Sequence, residues 1–175
     1  MKVDADLVIR ASKGDKTAFS DLYYVCYKDF FNFAIYSVGN AEYAADIVSD
    51  TFVEIWKGIS KLKNPEAFAA WAFRILNIRC KREIAEIIKH RGEFCFEELG
   101  ESSFCSLRNM EADITESACL SAALSKLEPD ERMLLILSAF YGYKHREIAE
   151  IIGKPRGTVS SLLSRIYVKL RELMK

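Results

Sequence analysis

Apolar residues recur at three- and four-residue spacing along most of the chain, and strict alternation is missing, which predicts helices and no strands. Leu7, Val8 and Ala11 mark a short first helix closed by Gly14. A second helix, capped by Thr17, carries Phe19, Leu22, Tyr23, Cys26, Tyr27, Phe30, Phe31, Ala34 and Ile35 and stops at Gly39-Asn40. A third, over residues 41–57, has its apolar stripe at Ala44, Ala45, Val48, Phe52 and Ile55. A lysine-bearing connection, residues 58–64, leads to Asn64-Pro65-Glu66, where an asparagine cap and a first-turn proline start a helix. That fourth helix carries Phe68, Trp71, Ala72, Ile75, Ile78, Ile84 and Ile87. The pattern fades after His90, in a stretch with Gly92, Gly100, Ser102, Ser103 and several glutamates. It resumes near Ala112 and continues through Leu127. Pro129 then opens a helix over Asp130–Phe140, closed by Gly142, and two more helices end the chain. The expected architecture is all-α. Two small helical domains, residues 1–90 and 112–175, are joined by a flexible linker, residues 91–111.

The C-terminal pair reads as a helix-turn-helix. Ile148, Ala149, Ile151 and Ile152 form a short helix, and Gly153 stands where the chain must swing through positive φ. Lys154-Pro155 cannot continue that helix, because proline lacks an N–H and disfavours helix at the residue before it. A second helix runs over residues 156–173. Ala149 is small where the two cross, and Val159 and Leu162 are apolar where the second must pack on the first. This spacing fits a reader docked in a DNA major groove.

The chain has 175 residues, with 25 basic and 25 acidic side chains. Zero net charge by itself argues against a nucleic-acid partner, but the charges are unevenly placed. Residues 91–125 hold 2 basic and 7 acidic residues, while residues 126–175 hold 10 basic and 6 acidic. A modestly basic reader is thus joined to an acidic strap. The apolar run Met133–Tyr141 is too short to span a bilayer and the first residues lack an apolar signal core, so no membrane insertion and a cytoplasmic location are expected. Of five cysteines, Cys26, Cys80 and Cys119 lie in apolar helical stretches as buried thiols, and Cys95 and Cys105 lie in the linker. No CxxC pair occurs, so no metal site is expected. The two histidines, His90 and His145, lie apart, and no Gly-rich phosphate loop is present. No catalytic residue and no cofactor are expected.

Three segments carry a resemblance. Ala45-Asp-Ile-Val-Ser-Asp-Thr-Phe-Val-Glu-Ile-Trp56, followed by Phe68-Ala-Ala-Trp71-Ala-Phe73-Arg74-Ile75, resembles the domain-two core of small bacterial sigma factors. Gly14-Asp15-Lys-Thr-Ala18-Phe19-Ser-Asp-Leu22-Tyr23 is similar to their opening. Leu124-Ser-Lys-Leu127-Glu-Pro129-Asp-Glu-Arg132 leads into the helix-turn-helix as their domain four does. Order and separation match the extracytoplasmic-function group of the sigma-70 family, and the resemblance covers nearly the whole chain outside the linker.

The resemblance implies a non-catalytic factor that binds core RNA polymerase and directs it to promoter DNA. It implies a monomer when free, held in check by an anti-sigma factor. Domain four would read the −35 element as duplex. The exposed face of its second helix offers Arg156, Thr158, Ser160, Ser161, Ser164 and Arg165, with Lys144, Arg146 and Lys154 placed to hold phosphates. Ser160 and Leu162 stand where the family often has basic residues, and each lost phosphate contact flattens the log–log salt dependence by about 0.9. Domain two would trap the −10 element as single strand. Lys57, Lys61 and Lys63 flank a connection ending at Asn64, and Arg74, Arg79, Lys81 and Arg82 follow on the next helix. Trp71 is either a stacking plate worth about 1–3 kcal/mol per base or a core residue. The family usually shows Arg-Ile-x-x-Asn, but here Asn77 comes one position early and Ile78 takes its place. The third helix would meet the polymerase clamp through Ile47, Asp50, Thr51 and Glu54. The competing reading is a stand-alone helix-turn-helix regulator with an N-terminal sensing or dimerisation domain, which would bind a palindrome without polymerase.

Overall fold

Local capping chemistry sets where most of the helices begin. The computed structural model describes residues 3–91, 124 and 126–173. Among them are seven helices and no strand. Helix α1 spans Ala5–Ser12, α2 Lys16–Val38, α3 Ala41–Gly58 and α4 Phe68–Arg91. Helix α5 spans Pro129–Leu135, α6 His145–Ile152 and α7 Arg156–Leu173. The expected linker beyond Arg91 and nearly all of the expected 112–127 helix lie outside the described residues.

Asp15, not Thr17, caps α2. Its carboxylate accepts from the Ala18 N–H at 3.0 Å and from Arg10 at 2.9 Å. Gly14, at φ 90°, turns the chain straight into Asp15, so Thr17 already lies within the first turn. Gly39, at φ 75°, ends α2 in the left-handed region that side chains avoid. Asn40 then starts α3 by accepting from the N–H groups of Glu42 at 2.9 Å and Tyr43 at 3.1 Å. Asn64 caps as its sequence suggests, accepting from Glu66 N–H at 3.1 Å, but Pro65–Ala67 first make a tight turn before α4 starts.

Helices α2, α3 and α4 pack together, with α1 across α2. Phe30, Phe33, Phe52 and Phe73 form the aromatic centre; Phe30–Phe73 and Phe33–Phe73 ring centroids are 5.4 and 5.5 Å apart, edge to face. The C-terminal helices build a second layer on the same core. Helix α5 packs on α2 and α6 packs on α4. One continuous set of buried side chains therefore runs from Val8 to Ile166.

The expected helix over Asp130–Phe140 does not stay α-helical. After Leu135 the backbone widens into a π-type turn, Ile136–Phe140, ending in Gly142 at φ 65°. Beyond it, Tyr141 packs tilted and Tyr143 edge-on against Phe73 of α4, and the Tyr141 hydroxyl donates to the Asp29 carbonyl of α2. No helix of the described residues is long and apolar enough to cross a membrane.

Arg132 is the most unusual member of this core. It is 1% exposed, and burial pulls its pKa down to about 10, with the Glu128 carboxylate opposing. Its guanidinium donates to the carbonyls of Leu124 at 3.1 Å, Leu127 at 3.0 Å and Ser37 at 3.1 Å. Replacing it by methionine strands the Leu127 and Ser37 carbonyls, at about 1–3 kcal/mol for each one left dry, while the Leu124 carbonyl keeps the Leu127 N–H at 3.1 Å. Arg132→Met is thus expected to lower the urea midpoint far more than Asn40→Ala, which loses one cap worth about 1 kcal/mol. Equal midpoints for the two variants would show that Arg132 does not pin these backbone segments together.

Candidate nucleic-acid interface

The candidate duplex reader consists of helix α6, a three-residue turn and helix α7. Glu147 reaches back to the Lys144 N–H at 2.7 Å and fixes the start of α6. Gly153, at φ 68°, ends it, with its N–H on the Ala149 carbonyl at 2.9 Å. Ile148 and Ile151 of α6 bury against Val159, Leu163 and Ile166 of α7. Val159 packs as the spacing predicts. Leu162 is only half-buried, and Leu163 takes the inner position. The turn Gly153–Pro155 rotates the start of α7 so that the buried stripe advances by four and three residues from Val159, leaving the next position outside.

This packing leaves one face of α7 in solvent. Arg156, Thr158, Ser161, Ser164 and Arg165 are exposed, and Ser160 is half-buried. Two of the hydroxyls are already used as donors within the helix. Ser161 Oγ donates to the Thr158 carbonyl and Ser164 Oγ to the Ser160 carbonyl, both at 3.0 Å. With its proton committed to the helix, each hydroxyl in this rotamer can accept a hydrogen bond from outside but has none to donate. Lys144 and Arg146 are exposed, Arg146 lying 3.5 Å from Glu150. Lys154 is not free: its ammonium bonds Asp130 at 3.1 Å.

Gly157 adds a signal beyond the charged and hydroxyl side chains of this face. A methyl group on its Cα would meet nothing within 4 Å. The fold therefore does not require a glycine there, although glycine costs a helix about 0.5–1 kcal/mol relative to alanine.

The single-strand candidates cluster at the junction of α3 and α4. Lys57, Lys61 and Lys63 are exposed, with Lys57 3.4 Å from Glu54. Asn64 spends its side-chain oxygen on the cap. Trp71 is half-buried, neither a core residue nor a free plate. A Cβ on Gly58 would lie 3.0 Å from its Cζ2, so the indole lies directly on the Gly58 backbone at the mouth of the 58–64 connection, 6.1 Å from the Phe68 ring. Arg74, Ile78 and Arg82 form an exposed stripe one helical turn apart on α4. Asn77 faces the other way, 3% exposed against the C-terminal helices, while Ile78 is 42% exposed where the resemblance expects asparagine.

Packing pairs Arg79, a candidate for drawing phosphates, with Asp50 and Glu54, the candidates for meeting polymerase: it bonds each at 3.0 Å across α3 and α4, and both carboxylates stay partly exposed. One expectation is corrected. Ile47 and Thr51 were expected on the polymerase-facing side, yet both are buried against α2 and α4, the Thr51 hydroxyl donating to the Ile47 carbonyl at 2.7 Å. The apolar stripe of α3 is wider than its three-four spacing implies, and threonine tolerates burial because its hydroxyl is satisfied within the helix.

No group of three or more His, Cys, Asp or Glu among the described residues could hold a metal ion. Burial pushes the thiols of Cys26 and Cys80 up to about 12, so neither supplies a thiolate at neutral pH. Cys95, Cys105 and Cys119 lie outside the described residues.

Comparison with known proteins places this geometry. Residues 22–86 match the family model for sigma-70 region 2, and residues 117–170 match that for sigma-70 region 4. The RNA polymerase sigma factor NccH of Alcaligenes xylosoxydans xylosoxydans is 30% identical over 179 residues, covering 99% of this chain and 95% of that protein. The ECF RNA polymerase sigma factor EcfG of Rhodopseudomonas palustris is 31% identical over 145 residues, covering 81% of this chain and 77% of that protein. The chain belongs to the extracytoplasmic-function sigma factors. Solved structures share the fold of this sigma factor. CnrH, in complex with the cytosolic domain of CnrY, matches with a TM-score of 0.72 at 23% identity over 98% of this chain and 96% of that one. RpoE of Bartonella quintana, in complex with the anti-sigma factor NepR, matches with a TM-score of 0.67 at 23% identity over 89% of this chain and 96% of that one.

Gly157→Ala separates folding from recognition in this sigma factor. The variant is expected to be more stable than the parent by about 0.5–1 kcal/mol in thermal melts, yet to bind duplex more weakly in anisotropy titrations if DNA lies close to that turn. Unchanged binding in the more stable variant would remove Gly157 from the interface.

Proposed function

We propose that the chain is an alternative sigma factor that binds core RNA polymerase and directs promoter-specific initiation in the cytoplasm, where that polymerase works. The observation that carries this reading is the pairing of two modules in family order, with the outer face of α7 left exposed. Residues 1–90 take the −10 element as single strand, residues 112–175 read the −35 element as duplex, and residues 91–111 join them. The family models fall within these bounds and support the division.

Chemistry supports a division of labour. Arg156 and Arg165 are the groups able to bond guanine O6 and N7 at once, whereas serine hydroxyls discriminate weakly. Lys144 and Arg146 hold phosphates, which position without specifying. Lys57, Lys61, Lys63, Arg74 and Arg82 draw the separated strand along the exposed side of the α3–α4 junction, with the Trp71 edge beside it. Each module binds weakly alone, and polymerase supplies the effective concentration that makes the pair tight. Asp50 and Glu54 remain the polymerase-facing candidates, their charge tempered by Arg79. An anti-sigma protein is the natural regulator, as NepR is named for RpoE. The function is assembly and recognition, with no chemistry at a reacting bond. Similarity over both modules favours this over a stand-alone regulator, for which a reader alone would suffice.

The direct test is run-off transcription with purified core polymerase on genomic fragments. Added protein is expected to yield discrete promoter-dependent transcripts; none on any fragment overturns the reading. Arg156→Ala is expected to cost about 1–3 kcal/mol at one base position and relax selectivity there, while Lys144→Ala weakens all sequences alike and flattens the salt slope by about 0.9.

A further inference from the structure

Trp71, Arg74, Ile78 and Arg82 follow one another along the outer side of α4 at three- and four-residue spacing, so apolar and basic side chains alternate on one line. Arg74 and Arg82 are exposed and bond no other described residue. Their neighbours are engaged: Arg79 bonds Asp50 and Glu54, and Lys81 bonds Asp130 at 2.9 Å. Ile78, between the two open arginines, is 42% exposed. The core does not use it, because Leu76 and Cys80, two residues to either side, fill the buried positions. The helix does not need it either, since a β-branched residue is a slightly poorer helix former than the lysine, arginine or glutamine common at exposed positions. Folding gives no reason for an isoleucine at this place.

Its chemistry narrows what can meet it. Isoleucine neither donates nor accepts a side-chain hydrogen bond, so it cannot read the polar atoms of a base edge. The apolar group that a DNA base carries on its edge is the C5-methyl of thymine. The Cα atoms of Arg74 and Arg82 lie about 12 Å apart along the axis, at about 1.5 Å per residue, so the two guanidiniums can hold backbone phosphates to either side of a base seated on Ile78. We propose that Ile78 is a specificity-determining residue: it packs on the C5-methyl of a thymine in the separated strand, while Arg74 and Arg82 hold that strand's phosphates. The preference comes from the methyl group, which deoxyuridine lacks. This contact rests on the sigma-factor reading, which puts the opened −10 element on this side of α4.

The test uses the full chain assembled with core polymerase and a promoter found by run-off transcription. Thymines of the opened region, on either strand, are replaced one at a time by deoxyuridine, and thymines of the paired flanks are replaced as controls. Competition binding to templates with the opened region left unpaired reads the effect. The parent protein is expected to lose about three- to fivefold in affinity at one unpaired thymine, the worth of one buried methyl group. Ile78→Asn is expected to bind the thymine and deoxyuridine templates equally. Ile78→Val keeps an apolar surface and is expected to keep the preference. So is Ile88→Asn, which alters an isoleucine 43% exposed on the same helix but one turn beyond the buried Ile84. A merely structural role for Ile78 would weaken both templates together and leave their ratio unchanged. Should circular dichroism show Ile78→Asn unfolded, Ile78→Gln takes its place with the same expectations.

Indifference of the parent to every methyl group, an opened region without thymine, or a methyl preference that Ile78→Asn retains each overturns the contact. A preference found only at thymines that stay paired overturns it as well, because the methyl group would then belong to the duplex reader. If no promoter-dependent transcript forms on any unmodified fragment, the sigma-factor reading has failed and the contact falls with it. Transcripts without methyl dependence remove the contact alone.

Discussion

A guanidinium taken almost wholly out of water has to find acceptors for its fixed fork of N–H donors, and Arg132 finds three in backbone carbonyls from separate parts of the chain. Ser37 lies in the last turn of α2, where carbonyls lack helical partners and the helix end is partially negative. Leu127, just before α5, offers one oxygen, and Leu124 offers a second lone pair on a carbonyl that also takes the Leu127 N–H. One cation thereby ends two backbone segments and binds the C-terminal helices to the N-terminal bundle. Tyr141 repeats the device on a smaller scale, donating to a main-chain carbonyl of α2. Because these donors address main chain, the joint depends on the backbone being where it is and little on side-chain identity in α2.

Charge is managed differently at the surface. Arg79 lies between Asp50 and Glu54, and Asp130 lies between Lys81 and Lys154. Burial pushes the Asp130 carboxyl upward, yet the hydrogen bonds from the two lysines outweigh it and hold the group below its ordinary range. Such half-exposed pairs contribute modestly to stability. Their larger effect is on availability: a basic residue that has a carboxylate partner in the free chain must give it up before it can hold a phosphate. Counting basic residues along the sequence therefore overstates the cation available to DNA.

Most of the secondary structure was legible because its signals are local. Asn40 and Asn64 cap as asparagines preceding helices do, Gly39, Gly142 and Gly153 turn through positive φ, and α7 begins and ends where its periodicity does. Thr17 misleads as a cap because two residues could cap the same helix and only the Arg10–Asp15 bond and the Gly14 turn select Asp15. Ile47 and Thr51 read as outward-facing because a three-four stripe says where a buried face is centred but not how wide it is. The exposed face of α7 followed from spacing alone, since a reader helix packed on one side must present the other.

The chain of amino acids, taken alone, settled that there would be helices, roughly where each would stop, and that a turn-linked pair would end the molecule, because capping, glycine conformation and periodic burial act over a few residues. Which charged groups face each other, which side of α4 stays open, and whether the two bundles stand apart or share one core were decided only in three dimensions. Lys81 and Asp130, and Ser37 and Arg132, are far apart along the chain, and nothing in either one's neighbours names the other. Contacts of that range depend on how finished helices stack, and the energy that selects the stacking belongs to the assembled surface rather than to any segment of it.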